Sequence, residues 1–76
     1  MNKKLYKKQL KKMEYDDLLH ELFSLGESIR EFDDLKEKAQ QDNDISSLYI
    51  IMNKKAECYA KLKIVEDELK NRQKED

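Results

Sequence analysis

The chain has 76 residues, 43% of them charged, a net charge of −1, one glycine, no proline and one cysteine. That length allows one small domain, and a lone cysteine excludes an internal disulfide framework. The scarcity of glycine and proline removes the punctuation that strands, tight turns and phosphate-cradling loops require.

Residues 1–13 carry six lysines (Lys3, Lys4, Lys7, Lys8, Lys11 and Lys12) and no acid. Their apolar companions are Leu5, Tyr6, Leu10 and Met13. Extending the stripe that begins at Tyr15 backwards would place Lys11 and Lys8 in core slots, so this segment is out of phase with the helix after it. The pattern predicts a short amphipathic helix over residues 2–12, a break near Met13–Glu14, and a division into a basic N-terminal arm or helix (1–13) and a second unit (14–76).

From Tyr15 onward the apolar spacing is regular. Tyr15, Leu18, Leu22, Leu25, Ile29, Phe32 and Ala39, with Lys36 in the one polar slot, alternate steps of three and four. That places them on one stripe of a helix, expected over about 16–41. Gly26 interrupts it mildly and is expected to allow close approach of a neighbouring helix. Asn43 and Asp44 then supply turn chemistry: an asparagine can take the left-handed conformation that ends a helix, and an aspartate can cap the next one. A second stripe, Ile45, Leu48, Met52, Ala56, Tyr59, Leu62 and Leu69, predicts a helix over about 45–71.

A connection this short makes the two long helices antiparallel neighbours. The expected fold is therefore an all-α, antiparallel two-helix hairpin with a short basic N-terminal helix or arm. Folding the chain at residue 42 pairs Leu22 with Leu62, Leu25 with Tyr59, and Phe32 with Met52. Leu19, Phe23, Tyr49, Ile51, Cys58 and Val65 then remain outside the seam as surplus apolar surface. Such surface marks an interface, and a domain this small with no staple needs a partner. Dimerisation into a four-helix bundle is the expected solution.

The charge is divided along the chain. Residues 14–44 carry eleven acids and three bases, and residues 45–76 seven bases and six acids. The six N-terminal lysines neutralise the acidic segment, in this chain or a dimer mate, or contact phosphates, which needs no base-specific side chain, or meet a partner protein's acidic surface. The apolar face of Leu5, Tyr6, Leu10 and Met13 is weak for an anionic membrane. The shortage of arginine weighs against base-specific readout.

Candidate chemistry is sparse. Asp42, Asp44 and Ser46 have the spacing of a calcium loop, but Ser47 and Asn53 stand where glycine and glutamate are needed. Asp17 and His20 have carboxylate–histidine spacing, yet His20 is the only histidine and a di-iron bundle needs two such pairs. Cys58 lies mid-helix with no activating base evident, which suits a small packing residue. The Ser-Gln-Glu-Leu-Asp signature of the sporulation aspartyl-phosphatase hairpins does not occur; the nearest echo, Glu66-Asp-Glu-Leu69, lacks its start.

The expected function is a non-enzymatic interaction protein, a regulator or adaptor that binds a partner protein and needs no cofactor or metal. The alternative is a nucleic-acid-binding module using paired lysine-rich segments. No signal-peptide pattern and no apolar run of membrane-spanning length is present, so a cytoplasmic setting is expected. Fourteen lysines against two arginines suggest an AT-rich coding genome, and the size and composition suit a protein of a bacteriophage or other mobile element.

Overall fold

The computed structural model describes residues 2–74. They form three helices, α1 (Lys3–Lys12), α2 (Tyr15–Gln41) and α3 (Ile45–Lys74), and the fold is all-helical, 92% helix with no strand among the described residues. Asn2 caps α1, its side-chain oxygen accepting the Leu5 N–H at 3.1 Å. Met13 and Glu14 are both extended (ψ 147 and 161), which is where the change of apolar phase predicts a break. α2 begins without a side-chain cap, but Asp16 and Asp17 in its first turn oppose the positive end of the helix dipole.

The turn from α2 to α3 is built from local chemistry. Asn43 is left-handed at φ 56. Its N–H donates to the Gln40 carbonyl at 3.2 Å, and the Asp44 N–H donates to Ala39 at 2.9 Å. These two bonds satisfy carbonyls that a helix end otherwise leaves open. Asp44 then caps α3: its carboxylate accepts the Ser47 hydroxyl at 2.7 Å and the Ser47 amide at 3.2 Å. Those bonds, hydroxyl first, hold the Asp44 carboxyl below its ordinary value.

α3 packs along α2. On α2 the buried and half-buried residues Leu18, Leu22, Leu25, Ile29, Phe32, Lys36 and Ala39 follow the stripe read from the sequence, except that its first member, Tyr15, is 50% exposed. On α3 the inward stripe is different. It runs through Leu48, Ile51, Lys55, Cys58, Leu62, Val65, Leu69 and Arg72, all buried or half-buried, again at alternating steps of three and four. Ile51, Cys58 and Val65, expected on an outer flank, are therefore seam residues, and Val65 is 0% exposed. Met52 and Tyr59, expected to meet Phe32 and Leu25, are instead 55% and 50% exposed.

The physical reason is that two stripes of equal period compete on α3, and the one that carries Lys55 and Arg72 faces inward, where those side chains reach Asp33 and the end of α1. The register differs as well: Asp33 pairs with Lys55, where a fold at residue 42 would have set Ile29 opposite that lysine. Gly26 differs from expectation too: a Cβ built there meets nothing within 4 Å, so no helix of this chain approaches it.

α1 lies against one flank of the long helices. Leu10 is 1% exposed and joins Leu18, Leu25, Ile64 and Val65 in one core, with Tyr6 and Met13 packed against it. The basic segment thus shares the core of the rest of the chain. α3 continues to Lys74, beyond the expected end near residue 71, and its last turns carry the contact that holds α1. Arg72 Nη2 donates to the carbonyls of Leu10 (2.9 Å), Lys11 (3.4 Å) and Met13 (2.6 Å). A guanidinium there supplies donors to open carbonyls at the negative end of a helix dipole.

Candidate protein-interaction surface

The seam determines which residues point outward. In the heptad frame, α1 lies on the flank of α2 that holds Glu21 and the flank of α3 that holds Lys61 and Ile64, at the end remote from the turn; toward the turn Leu35 and Ile50 on that same side are exposed. The opposite flanks of the two long helices share one uncovered face, because equivalent heptad flanks of two such neighbours adjoin. On that face α2 presents Tyr15, Leu19 and Phe23, and α3 presents Ile45, Tyr49, Met52, Ala56 and Tyr59, all exposed. Phe23 and Tyr49 are 67% and 71% exposed.

The two apolar runs lie at opposite ends of the rod. The α2 run is at the end remote from the turn, and the α3 run extends from the turn to mid-length. Together they form a band that crosses the face diagonally, and the uncovered side of Gly26 sits near its middle. The remaining two corners are charged: Arg30, Asp33 and Glu37 on α2 toward the turn, and Lys63, Glu66 and Lys70 on α3 away from it.

Of the six residues expected to form an interface, Leu19, Phe23 and Tyr49 lie on this face. Ile51 and Val65 are buried, so these two cannot line an accessible surface in the folded chain, and Cys58 is a half-buried free thiol on the seam. Sequence reasoning missed Ile45, Met52 and Tyr59 as surface residues. A signal for them existed, since the stripe through Ile51, Cys58 and Val65 has the same period. It was masked because Lys55 and Arg72 fill two of its core slots.

The six lysines of α1 are all exposed, and none forms an ion pair among the described residues. Direct neutralisation of α2 by α1 is therefore absent among them. The link between α1 and α2 is instead the Tyr6 hydroxyl, which donates to Glu21 at 2.9 Å. Lys61 Nζ lies 5.7 Å from the centroid of the Tyr6 ring, within cation–π reach. Burial, then the bond to Glu21, then its charge push the Tyr6 phenol well above its ordinary value. A groove of about 470 Å³ between α1 and the end of α3 is lined by Lys7, Lys11, Asp67, Glu68 and Asn71 among others, a mixed-charge surface with no convergent catalytic group.

The calcium-loop spacing at Asp42 and Asp44 is used differently, since Asp44 is committed to capping α3. His20 is exposed, and no group of three or more metal-binding side chains occurs among the described residues. No helix among them is long and apolar enough to cross a membrane. No family model, curated protein or solved structure matches the chain.

Proposed function

We propose that this chain is a small non-enzymatic interaction protein, a regulator or adaptor working in a bacterial or phage-infected cytoplasm. In this reading α2 and α3 are an antiparallel hairpin braced by α1, and the hairpin binds a partner protein through its uncovered apolar face. Dimerisation into a four-helix bundle belongs to the same reading. The observation that carries it is the diagonal band, with side chains as large as Phe23, Tyr49 and Tyr59 exposed to water. Exposed apolar side chains gathered on one face mark interaction sites, and aromatic residues are the usual anchors of such sites.

The test is a tagged pull-down with wild type beside Phe23→Lys and Tyr49→Lys, both at exposed positions where a lysine leaves the core intact. A partner held at fixed stoichiometry by wild type and released by both variants, with helicity unchanged, supports the reading. A partner retained equally by all three overturns it.

A second reading rests on the six exposed lysines of α1, none in an ion pair among the described residues: contact with nucleic-acid phosphates. It predicts affinity that falls steeply with salt, by a slope set by the number of phosphates neutralised. Replacing Lys4, Lys8 and Lys12 with glutamine should flatten that slope, and nuclease treatment should abolish recovery.

A further inference from the structure

We infer that the uncovered face is filled by a second copy of this chain, docked about a two-fold axis that runs along the diagonal apolar band. The inference rests on the interaction-protein reading above and names both the occupant of that face and its orientation.

Three observations converge. The first is area. The chain exposes 6159 Å², whereas a folded monomer of 9.2 kDa exposes ~4,900 Å². The excess, on the order of 1,200 Å², is more than the ~800 Å² that each partner buries in a standard interface. The shape agrees: the radius of gyration is 15.0 Å, against ~11 Å for a compact domain of this length.

The second is Gly26. A glycine inside a helix costs about 1 kcal/mol relative to alanine, and here it opens no room for any part of its own chain. Its open side lies near the middle of the band, where two crossing copies would approach most closely.

The third is charge, and it selects the axis. Toward the turn, the α2 corner of the face carries Arg30, Asp33 and Glu37; Asp33 is taken up by Lys55 of its own chain, which leaves Glu37 as the carboxylate open to a mate. The α3 corner is net basic, with Lys63 and Lys70 beside Glu66. An axis along the rod, or one square to it, would set these charged corners against the mate's apolar band. An axis along the band sets band on band and brings the basic corner of each copy toward Glu37 of its mate. One self-complementary patch then satisfies both copies, as a two-fold interface requires. α1 stays on the two outer surfaces, with its lysines free.

The test uses the full chain in sedimentation equilibrium over a concentration series, with native mass spectrometry. Wild type is expected at twice 9.2 kDa, shifting to monomer on dilution. Gly26→Leu is expected to remain folded, because a Cβ there meets nothing within 4 Å, and to lose the dimer. Lys63→Glu and Glu37→Lys should each lose the homodimer, because each sets like charges at both corners. Mixed together they should recover a heterodimer, because both corners become complementary.

A wild type that is monomeric at every concentration, or that assembles beyond a dimer, overturns the inference. So does a Gly26→Leu dimer of undiminished strength, or a mixture with no preference for the heterodimer. A monomeric wild type that still captures a partner protein through Phe23 and Tyr49 would overturn this inference alone and leave the interaction-protein reading standing.

Discussion

The guanidinium of Arg72 donates to the carbonyl of Leu10 across 62 positions of sequence, at 2.9 Å. The same nitrogen reaches the carbonyls of Lys11 and Met13, while Nε donates to Glu68 one turn back along α3. The last turns of α3 thus cap α1, and Glu68 fixes the rotamer that does so. Because Leu10 is one of the most buried side chains, this clasp governs whether the core stays closed at the end remote from the turn.

Arg72→Ala should therefore detach α1 rather than merely soften α3. Hydrogen bonds from a charged donor contribute about 1.5–3 kcal/mol, so a loss of roughly 2 kcal/mol is expected, a large share of what a chain this small obtains from one core. The measurements are chemical denaturation together with amide exchange. Exchange should accelerate in α1 far more than at the turn between α2 and α3. Arg72→Lys should recover only part, since a single ammonium cannot hold Glu68 and the α1 carbonyls at once as Nε and Nη2 do. Uniform acceleration throughout the chain would refute the clasp.

A pair of alanine substitutions separates the two possible faces of α3. Val65 is 0% exposed, and truncating it removes buried methyl groups and leaves a cavity, which should cost ~2 kcal/mol. Met52 is more than half exposed, and Met52→Ala should stay within about 0.5 kcal/mol for the protomer. Equal losses at both positions would mean that the seam runs through the other stripe. The two variants should be compared at concentrations where any dimer has dissociated.

Much of this fold was legible where the chemistry is local. Asn43 and Asp44 act through bonds to residues within five positions, so their roles as helix stop and helix cap could be read directly. The α2 stripe was legible because only Lys36 interrupts it. α3 was not, because two stripes of equal period compete. The wrong one presents Met52 and Tyr59, and the right one carries Lys55 and Arg72. Hydrophobic pattern treats those two bases as vacancies. In the fold they are the long side chains that reach Asp33 and the end of α1, packing their stems on the seam and placing the charge at its rim. The docking of α1 was hidden for a related reason: it depends on Arg72 meeting Leu10, and nothing in either neighbourhood announces the other. The apolar face inherits the same ambiguity, so half of it was expected inside the protein.

Gly26 offers a stabilising change. It lies in a regular stretch of α2, its φ is not left-handed, and a Cβ there meets nothing within 4 Å. Gly26→Ala should stabilise the dissociated protomer by about 1 kcal/mol through helix propensity and loss of unfolded-state freedom. That corresponds to a rise in Tm of roughly 4–8 °C for a domain of this size. Thermal denaturation at high dilution checks it, and an unchanged or lowered Tm would show that the helix is strained at this point.

Tyr6 should make the docking of α1 sensitive to alkali. Burial is the largest cause of its raised pKa, followed by the bond to Glu21 and the charge of that carboxylate, all of which disfavour phenolate in the folded chain. The unfolded phenol ionises near 10, so above that pH the unfolded state loses a proton that the folded state retains. By linkage, stability that is fully present below about pH 10 declines as pH rises toward the folded value. Tyr6→Phe removes the titration along with the bond to Glu21. It should therefore start less stable at neutral pH and lose less between pH 9 and pH 11 (roughly one unit either side of the ordinary tyrosine value). Denaturant midpoints across that range decide the matter: parallel declines for wild type and Tyr6→Phe would assign the alkaline loss to lysine deprotonation elsewhere. A wild-type midpoint that falls while the variant's stays level would place it at the Tyr6–Glu21 contact that joins α1 to α2.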